Sequence, residues 1–174
     1  ACINLDKLSE TMLQAEAARH EARNTIKEII ALNQNKDAKP EQHLNLCEKI
    51  SAVDINRNTN QIIIRQLAKQ HGLNTKEIIN QIEPFQSHYR RKLLDELTTN
   101  YPEIAKYREL NQLKAKVSTQ LEIKKIEKSM ADIAKSITSN KNLNQTIKIH
   151  LPKLKISLNR SIQIGLDKDK GIER

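Results

Sequence analysis

The apolar positions of this chain fall at helical intervals over most of its length. The longest such stretch, Glu103 to Ile137, runs 35 residues without Gly or Pro. Within it Leu110, Leu113, Val117, Leu121, Ile126, Met130, Ile133 and Ile137 recur at steps of three, four or five, which draws one stripe along a helix. Such a helix would be about 50 Å long and needs other helices lined up beside it. Leu5 to Leu32 reads as a first long helix, with Leu5, Leu8, Met12, Ala15, Ala22, Ile26 and Ile29 in step. Ala15, Ala17, Ala18 and Ala22 are small enough for a neighbour to approach closely. Glu41 to Gln70 reads as a second, with Leu46, Cys47, Ile50, Val53, Ile64 and Leu67 on its stripe. Asn56 to Asn60 interrupts the apolar pattern there, but no Gly or Pro does, so the pattern predicts a continuous helix.

Punctuation sets the remaining boundaries. Pro40 suits a first helical turn. Gly72 fits a left-handed helix end, and Asn74 with Glu77 makes a capping-box pattern for a short helix, Thr75 to Ile82. Pro84 is expected to stop that helix, and a further one follows from Gln86 to Thr98. Asn100 is expected to cap the central helix, with Pro102 in its first turn and Glu103 reaching back. From Ile147 to Leu158 the apolar residues fit both a strand and a helix, and the helical surroundings favour helix. The expected fold is therefore all-α: an elongated antiparallel bundle of three long helices, with short elbow helices at 74–99 and a basic C-terminal segment. Residues 1–140 would form the bundle, with 141–174 packed on it.

Residues 64–79 carry the most specific local pattern. Ala68 is small where helices would cross, Gly72 makes a turn, and Asn74 opens a second helix with Ile78 facing inward. The stretch resembles a helix-turn-helix. It is also similar to the small helical module at the start of bacterial translation initiation factor two, where a Leu-Ala-Lys run precedes a Gly turn. The resemblance covers about 16 of 174 residues and implies contact with nucleic acid. It departs from a reading helix in being short and in offering only Lys76, Asn80 and Gln81 outward. An ordinary helix–Gly–helix corner has the same residues.

Composition supports helices and limits the chemistry. There are 3 Gly, 4 Pro, 1 Phe, 3 Tyr and no Trp, so loops are few and the core falls to Leu, Ile, Val, Met and Ala. The formal net charge is +9. Residues 1–87 hold 11 Lys and Arg against 11 Asp and Glu, whereas residues 88–174 hold 19 against 10. Between Ile133 and Leu166 there is no acid at all. Such asymmetry points to an anionic partner for one end, and a merely solvated Lys-rich surface is the competing account. The candidate contacts are Arg90, Arg91, Lys92, Lys114, Lys124, Lys125, Lys128, Lys148, Lys153, Lys155 and Arg160. Lysine spread around helices suits phosphate backbone. The scarcity of aromatic platforms argues against single-strand or RNA-specific recognition.

No enzymatic signature is present. Gly-x-Ser-x-Gly, His-Glu-x-x-His, Cys-x-x-Cys and a glycine-rich phosphate loop are all missing. Glu16 and His20 lie one turn apart, but a metal would need ligands from other helices. Neither a metal nor a cofactor is expected. Cys2 and Cys47 could close a long loop or stay free. The chain begins Ala1–Cys2, as a processed or excised segment would, and a lipidated cysteine is conceivable there. With no signal-peptide core and no apolar run of about 18 residues, a membrane span is not expected; the cytoplasm is favoured, with a secreted or lipid-anchored protein as the alternatives. The expected function is a non-enzymatic interaction protein whose basic C-terminal half docks on an anionic partner, nucleic acid first among them. A homo-oligomer through the long helices is a further expectation. The alternative is a protein–protein adaptor, or a basic helical secretion-signal module of the type IV secretion kind.

Overall fold

The computed structural model describes residues 4–171. Within them the chain is helical, with eight α-helices, one 3-10 turn and no strand. They are α1 (Leu5–Gln34), α2 (Leu44–Ser51), α3 (Asn58–His71), α4 (Thr75–Asn100), α5 (Pro102–Lys114), α6 (Gln120–Ser139), α7 (Lys141–His150) and α8 (Pro152–Gly171). The contacts divide the chain into two compact units, Ala1–Tyr89 and Arg90–Arg174, and the division falls within α4.

The first unit is organised by an aliphatic cluster. Ala22, Ile26, Ile29 and Ile30 of α1 meet Leu46, Cys47 and Ile50 of α2, Ile63, Ile64, Leu67 and Ala68 of α3, and Ile78, Ile82 and Phe85 of α4. On α1 the stripe that begins at Leu5 is buried only from Ala22 onward. Residues 4–21 are all exposed, including Ala15, Ala17 and Ala18.

The helix expected over 41–70 is interrupted. α2 ends at Ser51 and α3 begins at Asn58. Two features hold the break open. Asp54 accepts the Asn56 backbone N–H at 2.9 Å, a tight local turn. From α4, the Gln86 amide donates to the Ile50 carbonyl at 2.9 Å and the Val53 carbonyl at 3.0 Å. The Ile50 carbonyl also accepts the Val53 N–H at 3.1 Å, so the buried amide adds a second bond at the helix end and ties the following residue to α4.

The corner at Gly72 forms as its residues predict. Gly72 is left-handed at φ +65°, and the Leu73 N–H returns to the Ala68 carbonyl at 2.9 Å. Asn74 and Glu77 cap each other reciprocally, at 2.8 and 2.9 Å. The helix that follows is not short. Pro84 lies inside α4, which continues to Asn100 in place of the two elbow helices expected at 75–82 and 86–98. Asn80 and Pro84 are both exposed, so Pro84 interrupts the hydrogen-bond ladder on the outer side of α4. Gln81 is only half exposed, with its Oε1 buried, and so is not a fully outward residue.

The long helix expected over 103–137 is also two. α5 ends at Lys114, and α6 starts after Thr119, whose hydroxyl oxygen accepts the Glu122 N–H and donates to the Glu122 carboxylate at 2.6 Å. Thr-x-x-Glu is the sequence of a capping box, here with the Glu122 carboxylate taking the Thr119 hydroxyl, within a stretch that has no Gly or Pro. Tyr101, and not Asn100, stands before α5, with Pro102 at its first position. Leu113 and Leu121, expected on the inner stripe, are exposed. In the second unit α6 packs against α5, α7 and α8 through Ile126, Met130, Ala131, Ala134 and Ile137. The stretch from Ile147 to Leu158 is helical, divided at Leu151 before Pro152. Asn140 closes α6 and caps α7 by accepting the Leu143 N–H at 3.2 Å.

Candidate anion-binding groove

On α6 the inward residues Ile126, Met130, Ala134 and Ile137 leave the opposite flank to charge. Lys124, Lys125, Lys128 and Lys135 lie at helical steps along that flank. α8 comes close at one point. A side chain added at Gly165 would place its Cβ 2.8 Å from the Ala131 Cβ, so the glycine lets the two helices approach. Above this contact lies a groove of about 320 Å³. Lys124, Lys125, Lys128, Lys135 and Lys168 line it, with Asp132 and Asp169 as its acids and Leu121 on its wall. Even with Lys168 neutralised by Glu127, four ammonium groups against two carboxylates give the groove a positive field.

One ion cluster fixes the neighbouring helices. Glu127 of α6 is mostly buried and pairs with Lys114 of α5 at 3.0 Å and with Lys168 of α8. The Lys168 hydrogen bond, with a further contribution from Lys114, holds the Glu127 carboxyl below its ordinary range, although burial opposes this. One carboxylate thus ties three helices together and leaves one positive charge in excess.

The structure gathers Lys124, Lys125 and Lys128 in this groove, and adds Lys135 and Lys168. The other candidates lie elsewhere in the second unit. Lys114 is engaged by Glu127. Arg90 donates from Nε to the His150 carbonyl at 3.1 Å, at the end of α7. Lys155 donates to the Asn144 side chain at 2.7 Å. Arg91 and Lys92 on α4, Lys148 on α7, and Lys153 and Arg160 on α8 are exposed. Sequence spacing could have joined Lys135 to Lys128, seven residues away on the same helix. Lys168 had no such signal, because its place depends on how α8 packs on α6.

No known protein family, curated protein or solved structure matches the chain.

Other reactive groups of the described residues have structural surroundings. Glu16 and His20 line a shallow groove between α1 and α3 together with Arg19 and Arg23. Among the described residues no group of three His, Cys, Asp or Glu could hold a metal ion. Cys47 is a free, buried thiol that donates to the Pro40 carbonyl, and burial pushes its pKa up, away from a reactive thiolate. Cys2 lies outside the described residues. The Tyr107 hydroxyl lies 2.7 Å from those of both Ser157 and Ser161, which joins α5 to α8 through buried oxygens. No helix among the described residues is long and apolar enough to cross a membrane.

Proposed function

We propose that the second unit is a non-enzymatic docking surface for the phosphate backbone of nucleic acid, centred on the lysine groove between α6 and α8. One observation carries this reading. The charge of residues 1–89 cancels, the whole +9 falls in residues 90–174, and five of those lysines line a single groove. Lysine ammonium groups on flexible stems act as point charges, and they suit phosphates better than base edges. No aromatic ring lines the groove, so stacking on bases has no platform there. Arg91, Lys92, Lys148, Lys153 and Arg160 extend the surface by weaker, non-local attraction.

The test is binding of the full chain to a short DNA duplex over a range of salt. Affinity should fall steeply as salt rises. Replacing Lys124, Lys125 and Lys128 together by Ala should weaken binding by about tenfold or more at low salt. It should also flatten the salt dependence by roughly one unit of slope for each phosphate that is no longer neutralised. The matched change of Lys7, Lys27 and Lys36 in the first unit should do much less. Equal losses from the two triples, or no binding at low salt, would overturn the reading and direct attention to an acidic protein surface.

A further inference from the structure

The first half of α1 is an amphipathic helix without a partner. Leu5, Leu8, Met12 and Ala15 follow the alternating three- and four-residue steps of a two-stranded seam, and the same series continues through Arg19, Ala22, Ile26 and Ile29. From Ala22 onward that seam is the inner face of the first unit. Before it, Leu5, Leu8 and Met12 stand 73%, 52% and 65% exposed. A lone helix this short is marginal in water unless its apolar face is covered.

We infer that α1 pairs with α1 of a second copy, antiparallel, through Leu5, Leu8, Met12 and Ala15. Three arguments select this occupant. The bare stripe is continuous with a seam already used for packing inside the first unit. The charges of residues 1–89 cancel, so two copies do not repel each other there, whereas an anionic partner is drawn to the other unit. The register also closes on itself. Antiparallel pairing sets Leu5 against Ala15 and Leu8 against Met12 of the second copy, which makes four apolar layers about a two-fold axis. Ser9 and Thr11 then flank the axis facing their own counterparts, so no like charges oppose one another. Arg19 falls beyond the last layer. A parallel pair would instead stack Arg19 on Arg19 within the seam, a costly like-charge contact.

The seam is short, and four layers bury less than the roughly 1,200 Å² of a stable interface. The dimer is therefore weak and forms at high concentration. Its site and readout are separate from those of DNA binding, so either proposal can fail alone. Sedimentation of the full chain, from micromolar to near-millimolar concentration, should show the mass rise toward twice that of the monomer. Met12→Asp should return it to monomer with its melting temperature unchanged, because Met12 contributes nothing to the core, and any loss of helical circular dichroism should not exceed the share of the exposed first half of α1. Ile62→Asp, which alters an exposed apolar residue of α3, should leave the dimer intact. Orientation is read from Thr11→Cys and Arg19→Cys, each placed in a Cys2→Ser background with oxidised glutathione as the oxidant. Thr11→Cys should form the linked dimer faster. A chain that stays monomeric throughout, a dimer that survives Met12→Asp, or faster linking at Arg19→Cys would overturn the inference.

Discussion

At the centre of the first unit Ile26, Ile64 and Ile82 are shut away from solvent among other aliphatic side chains. The second unit buries Ile104, Ile137, Ile147 and Leu158 likewise, but adds polar ties: Tyr107 shares its hydroxyl with two serines, and the partly exposed Glu127 holds two ammonium groups. Apolar packing in the first unit is strong in total but sets few directions. Hydrogen bonds and ion pairs in the second are individually modest, yet they fix how α5, α6 and α8 lie against one another. A unit that carries nine excess positive charges benefits from such ties, because they hold a lysine-lined groove in one shape against its own repulsion.

The contrast predicts a graded set of responses. Truncation of the aliphatic core should have the largest effect. Ile64→Ala leaves a cavity at a fully buried site and should cost about 2–5 kcal/mol, read as a drop in the denaturation midpoint. A loss under about 1 kcal/mol would show that this core is loosely packed. The ion cluster comes next. Because the Glu127 carboxyl is held below its ordinary value, the stability it confers is present above about pH 4.3 and is lost as pH falls through the lowered value. Glu127→Gln should therefore cost about 1–3 kcal/mol at neutral pH. The gap from the parent should close as the buffer is taken into the acid range. A gap independent of pH would remove the ion pairs from the account. The smallest effect belongs to Leu121→Ala. Leu121 is 66% exposed on the groove wall, so the melting temperature should hardly move. A clear drop would place it in the core after all.

That last residue marks where sequence reading stops. The helical character was legible, because apolar residues recur at helical steps along most of the chain, with a polar interruption at Asn56–Asn60. So was the corner at Gly72, because left-handed geometry and a reciprocal Asn–Glu cap are local properties of four or five residues. The break before α6 was legible too, in the Thr119-x-x-Glu122 box, but the lack of Gly and Pro masked it and put Leu121 on an inner stripe. The break after α2 was marked only in part, by the polar run Asn56–Asn60 and the Asp54 turn, because it also rests on Gln86, which is 36 residues from the Ile50 carbonyl it serves. For the same reason the groove was only half visible. Lys124, Lys125 and Lys128 are neighbours on one helix, whereas Lys168 joins them by packing.

The Gln86 amide also has a temporal meaning. α2 is eight residues long, too short to persist alone, and its last turn gains a hydrogen bond from a side chain on α4. As the chain leaves the ribosome, α2 and α3 emerge before the residue that supplies that bond. The Gln86 bonds to Ile50 and Val53 can therefore form only once synthesis has passed the middle of α4.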